Sequence, residues 1–194
     1  MQLFNGRDLT GWRPNRQPGS YSVRDGILRV RAVDESSHLF YVGDLGDGFV
    51  RLRNFELELV ARSEPGSNSG VYFHSDPASA AGAQHHLGKG YEVQLNSSER
   101  ERRKTGSLYS VVDLPVSPVD ETQWFTMRIR VEGRRIGVWL DGRQVVDYTE
   151  PDSVVRPPDR AGKRLDPNGG ALAIQAHDPN STFYFRSIRL KRLD

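Results

Sequence analysis

The sequence predicts an all-β protein, a two-sheet antiparallel sandwich or jelly roll with little helix. Three observations predict it. Strand-like segments rich in Val, Ile, Phe, Tyr and Trp recur at short intervals, alternate in polarity and are separated by glycine turns. No segment keeps a 3.6-residue apolar period beyond a turn or two. Asp-Gly pairs, Asp25-Gly26 and Asp141-Gly142, sit beside such runs, and both residue types tolerate the positive φ of a tight hairpin.

Taken in order, Ile27-Leu28-Arg29-Val30 follows the first Asp-Gly turn, and Glu56-Leu57-Glu58-Leu59 alternates after Phe55. Gly70-Val71-Tyr72-Phe73-His74 and Gly90-Tyr91-Glu92-Val93-Gln94-Leu95 come next. Met127-Arg128-Ile129-Arg130-Val131 alternates cleanly, with its arginines toward water. Gly137-Val138-Trp139-Leu140 and Gln144-Val145-Val146-Asp147-Tyr148 flank Asp141-Gly142. Ile174-Gln175-Ala176-His177 and the run Phe183 to Leu190 complete a set of about eleven strands. Long loops are expected from Ser75 to Lys89, Asn96 to Gly106 and Pro151 to Asn168. Connections of that length in a compact domain are usually functional or disordered. The first two flank the Glu92 strand and read as rims of a cleft.

Successive strand side chains point to opposite faces. Tyr91, Val93 and Leu95 therefore share one face, and Glu92 and Gln94 the other. Ile174 and Ala176 oppose Gln175 and His177; Val71 and Phe73 oppose Tyr72 and His74. Three distant segments thus each present a carboxylate, amide, imidazole or phenol face, chemistry suited to a hydroxyl-rich ligand such as a sugar.

The 194 residues suit one domain, residues 1–194, with a sizeable core. Lys and Arg number 27 against 25 Asp and Glu, for a net charge of +2, so no basic stripe for nucleic acid is expected. The run Arg100-Glu101-Arg102-Arg103-Lys104 is broken by acid and reads as a solvated loop. Without cysteine there is no disulfide, thiolate nucleophile or zinc-thiolate site. No run approaches a membrane span. Met1-Gln2-Leu3-Phe4 shows no charged leader before an apolar core, so no signal peptide is expected, although the abrupt start suggests that an export signal or a preceding domain was removed. No glycine-rich phosphate loop opens a helix.

The segments resemble, in order, those of the 3-keto-disaccharide hydrolase domain family. Leu3-Phe4-Asn5-Gly6-Arg7-Asp8-Leu9-Thr10-Gly11-Trp12 is similar to the family's opening LFNGKDLxGW. Asp25-Gly26-Ile27-Leu28, Phe55-Glu56-Leu57 and Arg62 follow. Asn68-Ser69-Gly70-Val71-Tyr72-Phe73 resembles NSG(I/V)xF, Gly90 to Leu95 resembles GYExQI, and Thr105-Gly106-Ser107-Leu108-Tyr109 resembles TGALY. Gln123-Trp124-Phe125, Ile174-Gln175-Ala176-His177 and Phe185-Arg186-Ser187-Ile188-Arg189 close the series. The chain departs from the pattern at Asn96, where an aspartate is common, and at Gln123, Phe125 and Ser187. The resemblance implies a concanavalin A-like lectin/glucanase sandwich, action on 3-keto-disaccharides or 3-keto-glucosides, and an extracytoplasmic location.

A glycosidase of the ordinary kind needs two carboxylates. Glucanases of this fold set theirs along one strand as E-x-D-x-x-E. Positions 92, 94 and 97 hold Glu, Gln and Ser, so two-carboxylate hydrolysis on this strand is not expected, Glu58 on a neighbouring strand remaining an alternative. A 3-keto sugar needs only a base at carbon 2, donors for the enolate oxygen and an acid for the leaving group. The expected catalytic residues are Glu92 and His177, either of which can serve as the base. The expected substrate-binding residues are Arg62, Asn68, Tyr72, Gln94, Tyr109 and Gln175, with Arg62, Gln94 and Gln175 as enolate donors and Tyr109 as acid. Each has a plainer reading: Glu92 paired with Arg62 or Lys89, His177 at the surface, Asn68 in a turn, the tyrosines capping the core. Trp12, Trp124 and Trp139 read as core. His74 with Asp76, and His85-His86, lack a metal-site spacing, so no metal and no cofactor are expected. A carbohydrate ligand is the expected partner. The rivals to an enzyme are a non-catalytic carbohydrate-binding module and a recognition domain released from a larger envelope protein.

Overall fold

The computed structural model describes residues 1–81 and 86–193, arranged as two antiparallel sheets packed face to face. One has seven strands in the order β12 (Arg143–Thr149), β11 (Arg135–Leu140), β10 (Phe125–Glu132), β5 (Phe55–Ser63), β14 (Phe183–Arg192), β3 (Ile27–Val30) and β2 (Tyr21–Arg24). The other has five, β1 (Trp12–Pro14), β4 (Ser37–Tyr41), β13 (Ala171–Ala176), β6 (Asn68–Ser75) and β9 (Tyr91–Asn96). A two-stranded ribbon, β7 (Ala80–Ala81) with β8 (His86–Leu87), lies in the loop between β6 and β9. Among the described residues, three short 3₁₀ turns are the entire helical content.

The sequence-level faces explain the layering. In β5 and β10 every second residue is buried: Leu57, Leu59 and Ala61, and Met127, Ile129 and Val131, all point inward. They meet Val71, Phe73, Tyr91, Val93, Leu95 and Ile174 from the five-stranded sheet in one apolar cluster. Each such side chain, fully withdrawn from water, contributes about 1.5–3 kcal/mol. Asp141 and Gly142 close the β11–β12 hairpin with φ of 46° and 81°, as the Asp-Gly signal requires.

The two sheets differ in how their outer faces are treated. The seven-stranded sheet is solvated on one side, and its strands show the buried-exposed alternation usual for such a sheet. In β6, β9 and β13 every residue is buried, including the polar ones. Residues 86–88 and loops 97–124 and 150–170 account for this by folding across the polar face.

The alternation fails at one predicted position. His74 has φ 51° beside a register shift between β6 and β13, which turns its ring away from the face of Tyr72 and toward the core. There it packs against Phe55 and Phe73. Its Nδ1 accepts from the Asp166 amide at 3.0 Å, and Nε2 lies 2.9 Å from the Arg53 carbonyl. His74 is a strut between loops, and burial holds its imidazole below its ordinary pKa. Asp76 instead caps a 3₁₀ turn and meets Lys89. Of the histidine pair at 85 and 86, His85 lies outside the described residues.

Candidate functional site

On the loop-covered face, strand register aligns side chains from three strands. Tyr72 of β6 lies opposite Glu92 of β9, and Gly70 opposite Gln94. β13 pairs with β6 through Ala173 to Tyr72 and Ile174 to Val71, which carries Gln175 to the level of Gly70. The result is a sheet floor bearing Asn68, Tyr72, Glu92, Gln94 and Gln175, with His177 just past the end of β13. These residues line a cavity of about 310 Å³. Gly70 sits in the middle of this floor, where a Cβ would come 2.3 Å from Glu92 Oε1. The missing side chain there is the space that Glu92 occupies.

Hydrogen bonds orient the floor. Gln94 Nε2 donates to Asn68 Oδ1 at 3.1 Å, and Gln175 Nε2 to the Tyr72 hydroxyl at 3.2 Å. Gln94 Oε1 is buried without a hydrogen-bond partner, an acceptor that burial makes costly to leave unmet. His177 Nδ1 lies 2.7 Å from Asp178 Oδ2, and Asp178 also accepts from the Asn180 amide and the Ser181 hydroxyl. A carboxylate on Nδ1 fixes the tautomer whose lone pair is on Nε2, the state of a general base. Burial would raise the Asp178 pKa, but His177, the Asn180 amide and Ser181 outweigh it and hold the carboxyl below its ordinary value.

The walls come from loops. Residues 104–109 run along the free edge of β9, where Gly106 N donates to Gln94 O and Tyr109 N to Glu92 O, both at 2.9 Å. This sets the Tyr109 ring beside Glu92. Asn96 folds the preceding loop: its Nδ2 donates to the carbonyls of Glu101 and Arg103, and its Oδ1 accepts from Ser98. An aspartate has no N–H with which to make the first two bonds. The loop thereby delivers Glu101, whose Oε1 accepts from Arg103 and whose Oε2 accepts from the Tyr109 hydroxyl at 3.2 Å. The third wall is loop 151–168, clipped by Arg156 to Tyr91 and Tyr148, by Leu165 N to Glu150, and by Gly90 N to Gly162 O. It contributes Asp159, Arg160 and Lys163.

Two of the cavity carboxyls, Glu92 and Glu101, are driven apart. Burial pushes the Glu92 pKa up, opposed in part by Lys163, Tyr72 and His177 and reinforced by Glu101. Glu101 is also partly desolvated, yet the Arg103 amide and guanidinium and the Tyr109 hydroxyl together bring it below the usual carboxylate value. One carboxyl is biased toward the acid and the other toward the anion, an arrangement suited to separate acid and base chemistry. Burial and then Glu101 raise the Tyr109 pKa, which makes that phenol a reluctant acid.

Seven of the eight residues expected from the sequence line this one cavity: Glu92, His177, Asn68, Tyr72, Gln94, Tyr109 and Gln175. Arg62 does not. It belongs to β5 of the other sheet, one step out of phase with buried Ala61, so its side chain lies on the solvated face between Tyr184 at 4.4 Å and Trp124 at 5.4 Å. Glu58 shares that outer face and pairs with Arg189. Of the tryptophans only Trp12 is core; Trp124 and Trp139 lie on the outer face under arginines. Glu101, Lys163, Arg160 and His86 were missed, because each lies on a loop whose fold no local pattern encodes. For Arg160 and Lys163 the length of loop 151–168 was the available signal; Glu101 and His86 lie on the two loops expected as rims of the cleft.

A lectin-like sandwich with a polar, loop-walled cavity on its five-stranded sheet defines the class, a carbohydrate-associated jelly roll. Within it, the chain belongs to the family of 3-keto-alpha-glucoside-1,2-lyase-like domains, which it matches over residues 1–191. A Parabacteroides distasonis protein provisionally named a glycosyl hydrolase superposes with a TM-score of 0.76 at 22% identity, over 99% of this chain and 93% of that one. Carbohydrate-binding module CBM66 from Bacillus subtilis gives a TM-score of 0.58 at 16% identity, over 94% and 96% of the two chains. The exoplasmic/lumenal domain of VIP36, in a form bound to calcium and Man3GlcNAc, gives 0.62 at 13%, over 96% and 88%. At these identities the structural likeness concerns the fold. No curated protein matches the sequence significantly. Among the described residues, no helix is long and apolar enough to cross a membrane.

Proposed function

We propose that this chain cleaves 3-keto-glucosides or 3-keto-disaccharides by elimination and hydration. The observation that carries the reading is the His177–Asp178 pair and the buried Glu92 carboxyl lining one sugar-sized cavity. His177 Nε2 removes the carbon-2 proton, which the carbon-3 ketone acidifies. The resulting enolate expels the glycosidic oxygen from carbon 1, and that oxygen takes its proton from Glu92. Gln94, Asn68 and Gln175 hold the ring hydroxyls. Glu101, an anion beside Tyr109, takes a proton from the water that adds to carbon 1. The cavity volume is at the small end of the range for ligand sites, about 300–1,000 Å³, which favours one sugar ring held with part of its aglycone.

The reading is tested with a 3-keto-glucoside in heavy water. Exchange of the carbon-2 hydrogen during turnover is expected; turnover without exchange means direct hydrolysis. The second reading, a non-catalytic carbohydrate-binding module, is favoured by the likeness in fold to CBM66. Sugar binding with no keto-sugar consumed would establish it. We further read residues 1–194 as one domain, because a single apolar cluster joins both sheets, and the site of action as extracytoplasmic.

A further inference from the structure

Lys163 enters the cavity without a direct ion pair among the described residues. Among the described residues its Nζ makes no ion pair and no hydrogen bond; it lies 4.8 Å from the centroid of the Tyr109 ring, with Glu92 nearby. The backbone that carries it is fixed: Lys163 N donates to Arg160 O at 2.9 Å, and Lys163 O accepts from Arg156 Nε at 3.2 Å. Cations crowd it. Arg103 and Arg160 approach the same tyrosine ring, at 4.5 and 6.0 Å. Burial first, then Arg160, Arg103 and Arg156, lower the Lys163 pKa against the opposing pull of Glu92. Desolvation among other cations favours the free amine of a lysine, the form that attacks carbonyl carbon.

We propose that Lys163 forms an iminium with the carbon-3 ketone of the substrate. This rests on the reading of the substrate as a 3-keto sugar. The Nζ lone pair adds to carbon 3 while the ketone oxygen takes a proton from Glu92. The carbinolamine then loses water to give C3=N⁺. That cation is a stronger electron sink than a ketone, so His177 removes the carbon-2 proton to leave an enamine. The enamine pair expels the aglycone oxygen from carbon 1, and that oxygen takes the proton that His177 removed from carbon 2. Water then adds to carbon 1 of the conjugated iminium, and the proton it gives up passes through His177 to carbon 2. Hydrolysis of C3=N⁺ with a second water returns the amine and frees the 3-keto sugar. One water is released and two are consumed, so the net reaction is hydrolysis with no change in oxidation state.

The test treats the intact protein with a 3-keto-glucoside and sodium cyanoborohydride, with the plain glucoside as control. The expected result is a reduced sugar adduct on the peptide carrying Lys163, formed only with the keto-sugar and accompanied by loss of activity. Lys163→Arg keeps the charge but cannot form an iminium. Its turnover should fall by about 100-fold or more, the scale of losing one proton-transfer or nucleophilic group. Consumption of the keto-sugar with no adduct, and with Lys163→Arg within about threefold of the parent, overturns the iminium and leaves the elimination reading intact. Failure of the parent protein to consume any 3-keto-glucoside overturns both. Should Lys163→Arg not fold, trapping on the parent protein decides alone.

Discussion

Gly70→Ala isolates the position of Glu92 from its chemistry. The new methyl carbon would lie 2.3 Å from Glu92 Oε1 and 3.0 Å from both Cγ and Cδ. A comfortable carbon–oxygen contact is about 3.3 Å, so the carboxylate must retreat by about 1 Å. Gly88, Leu87 and the loop walls border the cavity, so the retreat takes Glu92 off its rotamer at a cost of about 0.5–1.5 kcal/mol. The backbone at Gly70 is not in the left-handed region, so alanine adopts it freely. Alanine also recovers about 0.5–1 kcal/mol of the entropy that glycine loses in a strand, and the two terms nearly cancel. The variant should melt within a few degrees of the parent. A 1 Å misplacement of a catalytic group costs about 100-fold, so kcat/KM for the 3-keto-glucoside should fall by about that factor. Steady-state kinetics beside a thermal melt read both quantities. A folded Gly70→Ala protein with kcat/KM within about threefold of the parent would refute the claim that Glu92 acts from this place.

Three further substitutions probe other parts of the argument. Glu92→Gln should lower turnover by about 10²–10⁴-fold while sugar binding, followed by calorimetry, stays within a few-fold. The same variant carries a stability signature. Burial raises the folded-state pKa of Glu92 above its ordinary 4.5, so the native protein holds that proton more tightly than the unfolded chain. The associated stability is complete below the ordinary value and drains away as pH rises through the raised one; the glutamine variant should therefore out-melt the parent at about pH 8, by a margin that vanishes toward about pH 4. Asn96→Asp removes both donors to the Glu101 and Arg103 carbonyls at a fully buried site, and urea unfolding should show a loss of about 1–3 kcal/mol or more, with activity falling alongside. Arg62→Ala should leave kcat/KM unchanged and remove about 0.5–1 kcal/mol of stacking with Tyr184 and Trp124; a large loss of activity would place Arg62 in the site after all.

Much of the site is legible in the chain because β structure has a two-residue period. Tyr91 and Val93 against Glu92 and Gln94, and Ile174 against Gln175, assign their faces from neighbours alone, and the sheet obeys. The exceptions are instructive. His74 obeys the same rule in sequence but sits at a bulge, and one residue of slip sends its ring to the other side. Arg62 lies in a segment resembling the family and carries the right chemistry for an oxyanion, yet its strand belongs to the other sheet. Asn96 stands where the family often has an aspartate, and the exchange looks like the loss of a catalytic carboxylate. In the fold it is the amide that pins the loop bringing a different carboxylate, Glu101, to the cavity.

Local pattern therefore determines which side chains share a face, where hairpins close, and that the product is a sandwich, since polarity alternation and turn chemistry act over a few residues. Only long-range packing decides which strands become neighbours, that Gly70 leaves room for Glu92, and that three loops fold back over a polar sheet instead of leaving it to water. Those contacts join residues as far apart as Tyr72 and Gln175, or Gly90 and Gly162. Their free energy depends on surfaces that meet only after collapse, so no window of sequence contains them. Lys163 and Glu101 reach the same cavity as Glu92 for that reason.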